Sequence, residues 1–373
     1  MTKIAFLSLL ALPVLSATLV GCTFSSSSGD CSQGPFDVCK DFEGRAIAEL
    51  SADVQGGVFS ATTSQSGDVI FAITDGMGKL VTVRPRDKEV TERRTNQPEG
   101  CITTGLAAFN SDVWIGLSCD KRASVYHAHI DADDSTEVLS VENARLTSIQ
   151  ATSLGMVASI ASGGEARLYE APLSGDKAPT IIATRPRSST PEKLIVLGDE
   201  AVQWSGASFT SGQNAIYQVT RDVAAPSRSV PAGAMLTIFE STHTIVNFDY
   251  FGGRLCVERR NGASLRNHDI VLVEKNGSLT SLFQSEASSG ERSIPSTWLT
   301  SFGTLYAQNS ASEGLDVFET TERPPTPLMN LEGKRLLGVM SGTSFLQWVV
   351  FSVPGERRIR VAEVIRTAES LRD

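Results

Sequence analysis

Four histidines and one run of aspartates supply most of the side chains here that could do chemistry. His127 and His129 flank Ala128 in "SVYHAHI", so on a strand both project to one face, and Asp131 continues it. An H-x-H-x-D stripe offers imidazole and carboxylate ligands to a transition metal. Such neighbours on a single strand seldom converge on an ion without ligands from elsewhere, so a structural role is the simpler expectation. The overlapping "DADDSTEVLSVE" sets Asp131, Asp133, Ser135 and Glu142 at positions 1, 3, 5 and 12, the spacing of a calcium-binding loop. Thr136 stands where that loop's sharp turn needs glycine, and the flanking segments read as strands. A solvated turn explains the pattern equally well. The expectation is no cofactor and no metal, with His127, His129 and Asp131 as the weak candidate ligands.

Nucleophiles are less evident still. There is no G-x-S-x-G elbow, no H-E-x-x-H helix and no phosphate-binding loop. "DGMGK", Asp75 to Lys79, reads as a tight turn, and Asn276 in "NGS" reads as a hairpin turn. Trp114, Trp204 and Trp348 fall in the second strands of the repeats described below, where packing between sheets is expected rather than stacking on a sugar. Cys256 lies in an apolar run and reads as a small buried hydrophobe. No residue is assigned a catalytic role.

The start of the chain is more specific. Lys3 followed by "IAFLSLLALPVLSATLV" has the charge and the apolar core of an export signal, and Pro13, Ser8, Ser16 and Thr18 make it a poor spanning helix. Leu19-Val20-Gly21-Cys22 then resembles the lipobox of bacterial lipoproteins. That resemblance implies a thioether-linked diacylglycerol on the Cys22 sulfur, cleavage before Cys22 and acylation of the new amine. Several acyl chains give stable anchoring where one is marginal. Residues 1–21 are thus read as a lipoprotein signal peptide, 22–42 as a lipid-anchored flexible tether rich in serine, and 43–373 as the folded domain. The resemblance places the protein in a bacterial envelope, at the outer membrane in preference to the inner, facing the periplasm or the surface.

An oxidising compartment permits disulfides. With Cys22 set aside, Cys31, Cys39, Cys101, Cys119 and Cys256 remain, and no CxxC pair exists for zinc or thiol exchange. Cys31 and Cys39 could close a small loop. An Asn110-Ser111 turn between "GLAAF" and "DVWIGLSC" puts Cys101 almost opposite Cys119, and this is the second expected disulfide.

From about residue 43 the sequence is a succession of short strand-like runs cut by Gly, Asp and Ser. Their first apolar residues, Val69, Val113, Met156, Ala201, Leu255, Leu305 and Phe345, recur at intervals of 44, 43, 45, 54, 50 and 40. A period near 45 is that of a four-stranded propeller blade. The second repeat divides into "GLAAF", "DVWIGLSC", "SVYHAHI" and "TEVLSV". The third divides into "SIQATS", "MVASIAS", "ARLYEAP" and "TIIATR". The fold expected is therefore an all-β propeller of seven four-stranded blades, with six or eight left open by the long interval. The last repeat lacks an outer strand, and "GRAIAEL" at Gly44 to Leu50 is the spare strand expected to complete it.

The formal charge of -9 speaks against nucleic acid as a partner and against a basic patch for anionic lipid. The function expected is a lipid-anchored binding or scaffolding module for an envelope protein or glycan. The alternative is a glycan lyase or hydrolase of the same fold. An enzyme is the less favoured of the two.

Overall fold

Runs rich in Val, Ile and aromatic residues, bounded by residues that turn the chain tightly, fold here into successive antiparallel hairpins. At the Asn110-Ser111 turn, Asn110 takes the left-handed conformation (φ 53°), which asparagine tolerates better than most residues. A computed structural model describes 28 strands between residues 44 and 364, most connections from 89 to 282, and side chains chiefly within 78–282. The export segment and the serine-rich tether, with Cys22, Cys31 and Cys39, lie outside the described residues.

The described strands group into seven four-stranded antiparallel sheets. Each of the first six uses consecutive strands. The second comprises Ile102–Phe109, Asp112–Cys119, Arg122–His129 and Ser135–Glu142; the third comprises Ala144–Thr152, Gly155–Ser162, Glu165–Pro172 and Thr180–Pro186. The first begins at Val58–Thr63, the fourth at Leu194–Leu197, the fifth at Thr244–Phe251 and the sixth at Trp298–Ser301. The seventh starts with Arg335–Thr343, Leu346–Ser352 and Arg358–Val364. Its fourth strand is Gly44–Ser51, which pairs antiparallel with Arg358–Val364.

The first strands of neighbouring sheets lie side by side from the first sheet to the fourth and from the fifth to the seventh, and the seventh returns to the first. The third strand of the fourth sheet adjoins the fifth. First strands are therefore inner and fourth strands outer, in the radial arrangement of a β-propeller. Apolar side chains fill the gaps between sheets. Trp114 packs with Leu146, Ile149 and Met156 of the third sheet, and Trp204 of the fourth packs with Val157, Leu168 and Ala183 of the third. Both indoles are fully buried. Glycine fits where sheets approach closely: a Cβ on Gly116 would lie 2.0 Å from Leu146 Cδ2.

The outer strands share a feature that the sequence does not display. Six carry one extra residue in the ladder opposite the third strand: Ile47, Val138, Ile182, Ile238, Leu282 and Leu328. All six are apolar. The first sheet pairs without this bulge.

Candidate functional site

Four inner strands in succession end around one cavity of about 570 Å3. Phe109 closes the inner strand of the second sheet, and Gln150 and Ser153 lie at the end of the third. Lys193 precedes the inner strand of the fourth sheet, Asp199 sits in the turn after it, and Asp249 comes from the fifth. The strands thus bring together residues up to 140 positions apart in sequence, which no local motif could have announced.

The polar groups in this wall already engage one another. Ser153 donates its hydroxyl to Asp199, joining the turns of the third and fourth sheets. Asp249 accepts the Tyr250 amide at 2.8 Å. Burial holds the Lys193 ammonium below the ordinary lysine range, while the carboxylates of Asp249 and Glu258 act in the opposite direction. Cys256 is buried nearby. Its thiol is pushed well above the usual cysteine range by desolvation and then by Asp249 and Glu258, so it is no nucleophile.

The residues singled out in the sequence lie elsewhere and do not converge on one point. His127 Nε2 is 2.7 Å from Asp112 Oδ1, and its ring stacks on Trp114 at 5.1 Å. His129 Nδ1 accepts the Asp131 amide at 3.2 Å, a local turn contact. Asp131 itself pairs with Arg84 of the first sheet, and Asp133 pairs with Arg93 at 2.8 Å. Among the described residues no three His, Cys, Asp or Glu side chains gather as a metal site. The calcium-loop spacing is overturned by geometry. Ser135 and Glu142 are the two ends of one extended strand, so positions 5 and 12 stand roughly 20 Å apart and cannot wrap an ion. Those aspartates instead bridge the first and second sheets at the surface.

Cys101 and Cys119 lie at bonding distance as a disulfide, with their Cα atoms 4.2 Å apart. A bulge between Thr103 and Gly105 shifts the register by one residue, so Ile102 pairs with Ser118 and Cys101 falls opposite Cys119. Of "DGMGK", Gly78 and Lys79 are described: the first has φ 70°, and the second begins a strand and pairs with Glu92 at 3.3 Å. Asn276 sits in the turn that joins Asn267–Val273 to Leu279–Glu286, accepting from Ser278. The Trp348 side chain lies outside the described residues.

Sequence reasoning missed two buried ion pairs between the third and fourth sheets. Arg185 Nη2 lies 2.8 Å from Glu192, both almost wholly inaccessible. Glu192 also accepts from Ser159 Oγ at 2.7 Å and Thr147 Oγ1 at 3.0 Å. The Arg185 guanidinium lies 4.2 Å over the Trp204 ring. Glu170 pairs with Arg221 in the same interface. A signal for Glu170 did exist: "SVYHA", "RLYEA" and "AIYQV" align the third strands and superpose His127, Glu170 and Gln218 at one polar position. Arg185 ends the strand-like run "TIIATR" and Glu192 lies in the Pro- and Ser-rich segment after it, so no local pattern pairs them.

No protein-family model and no curated protein matches this sequence. Solved structures do. The chain is similar to the β-propeller domain of Cps50 (Swd1) from Myceliophteria thermophila at 10% identity and TM-score 0.52, covering 83% of this chain and 98% of that one. It is similar to YCF48 bound to D1 peptide at 9% identity and TM-score 0.51, over 90% and 98% of the two chains. It is also similar to an oligogalacturonate lyase in complex with manganese, at 11% identity and TM-score 0.60, over 90% and 97%. At such identities the likeness establishes the fold, an all-β propeller built of four-stranded antiparallel sheets.

Proposed function

We propose that this chain is a seven-bladed propeller, held by lipid at Cys22 in a bacterial envelope, that binds a protein or glycan partner and keeps it there. The observation that carries the binding reading is the cavity where four inner strands end, a concave site whose wall mixes apolar side chains with several convergent polar groups. Seven four-stranded sheets support the blade count. "LVGC" after an export segment supports the anchor. A solved propeller in complex with a peptide, YCF48, supports a partner of that kind.

The anchor and the site have separate tests. Cys22→Ala should move the protein from the membrane fraction to the soluble one; retention on membranes removes the anchor assignment. A photo-crosslinking residue at Ser153, on the cavity rim, should capture an envelope component that the same residue at exposed Thr136 on an outer strand does not. Equal capture at both positions, or none at Ser153, removes the cavity as the binding site.

One observation favours the second reading, a glycan lyase or hydrolase. Lys193 lines the cavity together with Asp249, and burial lowers its affinity for a proton, the direction a general base requires. Release of cleaved product from envelope glycans, abolished by Lys193→Met with substrate binding retained, would move the assignment to an enzyme.

A further inference from the structure

Resting on the reading of the cavity as a binding site, we infer that its occupant is the end of an uncharged, polyhydroxylated chain: a neutral glycan. The wall mixes hydrogen-bond donors with acceptors. Gln150 both donates and accepts, the Ser153 hydroxyl accepts while its proton goes to Asp199, Lys193 only donates, and Asp199 and Asp249 only accept. A ligand that satisfies such a mixture at close quarters must itself donate and accept at neighbouring atoms. Vicinal hydroxyl groups do so, and Phe109 adds an aromatic surface against which a sugar ring can pack.

Charge narrows the class. Two carboxylates against one ammonium leave the wall net negative, and Glu258 beside Lys193 adds to the excess. The whole chain carries -9. An acidic glycan would place its carboxylates beside Asp199 and Asp249, where like charges repel. A cationic ligand fits less well than a neutral one for a different reason. Lys193 lines the same cavity as Asp199 and Asp249, so a cation drawn to the carboxylates meets a like charge there, while a hydroxyl can accept from Lys193 and donate to either carboxylate. A hydroxyl donor uses a lone pair without needing the charge.

The test is retention of the full-length protein, in detergent, on an array of neutral, uronic-acid and amino oligosaccharides. Neutral glycans are expected to retain it. Ala151→Trp, which adds an indole to the lining, should weaken that retention by about tenfold or more. Should that variant fail to fold, Ser153→Trp on the exposed rim serves the same end. Absence of retention by neutral glycans, preference for amino or acidic ones, or equal retention of the blocked variant overturns the inference. If neutral glycans fail while the Ser153 crosslinker still captures an envelope protein, the binding site stands and its ligand class falls. If both are silent, both fall.

Discussion

A carboxylate as deeply buried as Glu192 must be neutralised where it sits, because desolvating a lone charge costs several kcal/mol. Arg185 provides the counter-charge at Oε1, and Ser159 and Thr147 both donate to Oε2. Burial lowers the affinity of Arg185 for its proton, and Glu192 opposes that effect. Glu192→Gln leaves the guanidinium buried without its partner, so unfolding in urea should show a loss of about 3–5 kcal/mol. The same cluster explains one glycine. A Cβ on Gly206 would lie 1.8 Å from Arg185 Cζ, and the guanidinium cannot swing away while Glu192 and the Ser205 carbonyl hold it. Gly206→Ala should therefore lower the melting temperature, whereas Gly164→Ala, with open space at its Cβ, should leave it nearly unchanged. Nothing in the spacing of these residues announces them. A charge in a Pro- and Ser-rich connection reads as solvated until a second sheet is laid against it.

At the scale of single strands, register decides which residues meet. The bulge at Thr104 turns a near-miss between Cys101 and Cys119 into direct opposition, and the two residues are separated by only 18 positions. In the chain-entropy model a loop of this length contributes about 3 kcal/mol. Cys101→Ser with Cys119→Ser should lower stability by that amount in denaturant titrations, and reduction of the native protein should reproduce the loss. An unchanged midpoint in both experiments would show the bond to be incidental. The hairpin was legible from its turn residues, but the bulge was not, because an extra residue in a ladder leaves no mark on alternation over so short a run. The same holds for the apolar extra residues of the outer strands, Val138, Ile182, Ile238, Leu282 and Leu328. Ile47 belongs with them, which identifies Gly44–Ser51 as an outer strand in conformation as well as in position.

At the scale of the molecule, Gly44–Ser51 joins the two ends of the chain in one sheet. Without it Arg358–Val364 becomes an unpaired edge, which invites association with other chains. Deletion of residues 44–51 should abolish a single cooperative melting transition and promote aggregation; a melting curve like that of the intact protein would mean the strand closes nothing. The sequence by itself determined the all-strand content, the period near 45 residues, the spare N-terminal strand and the hairpin geometry near the cysteines. Each of these depends on contacts between neighbours in the chain, or on a pattern repeated often enough to stand above noise. Only the tertiary structure decided the candidate site. Phe109, Gln150, Lys193 and Asp249 come from four sheets, and Asp131 and Asp133 turn out to hold two sheets together instead of an ion. The reason is topological. In a ring of sheets the inner strand ends converge from one repeat to the next, so their proximity is set by closure of the ring and not by any spacing along the chain.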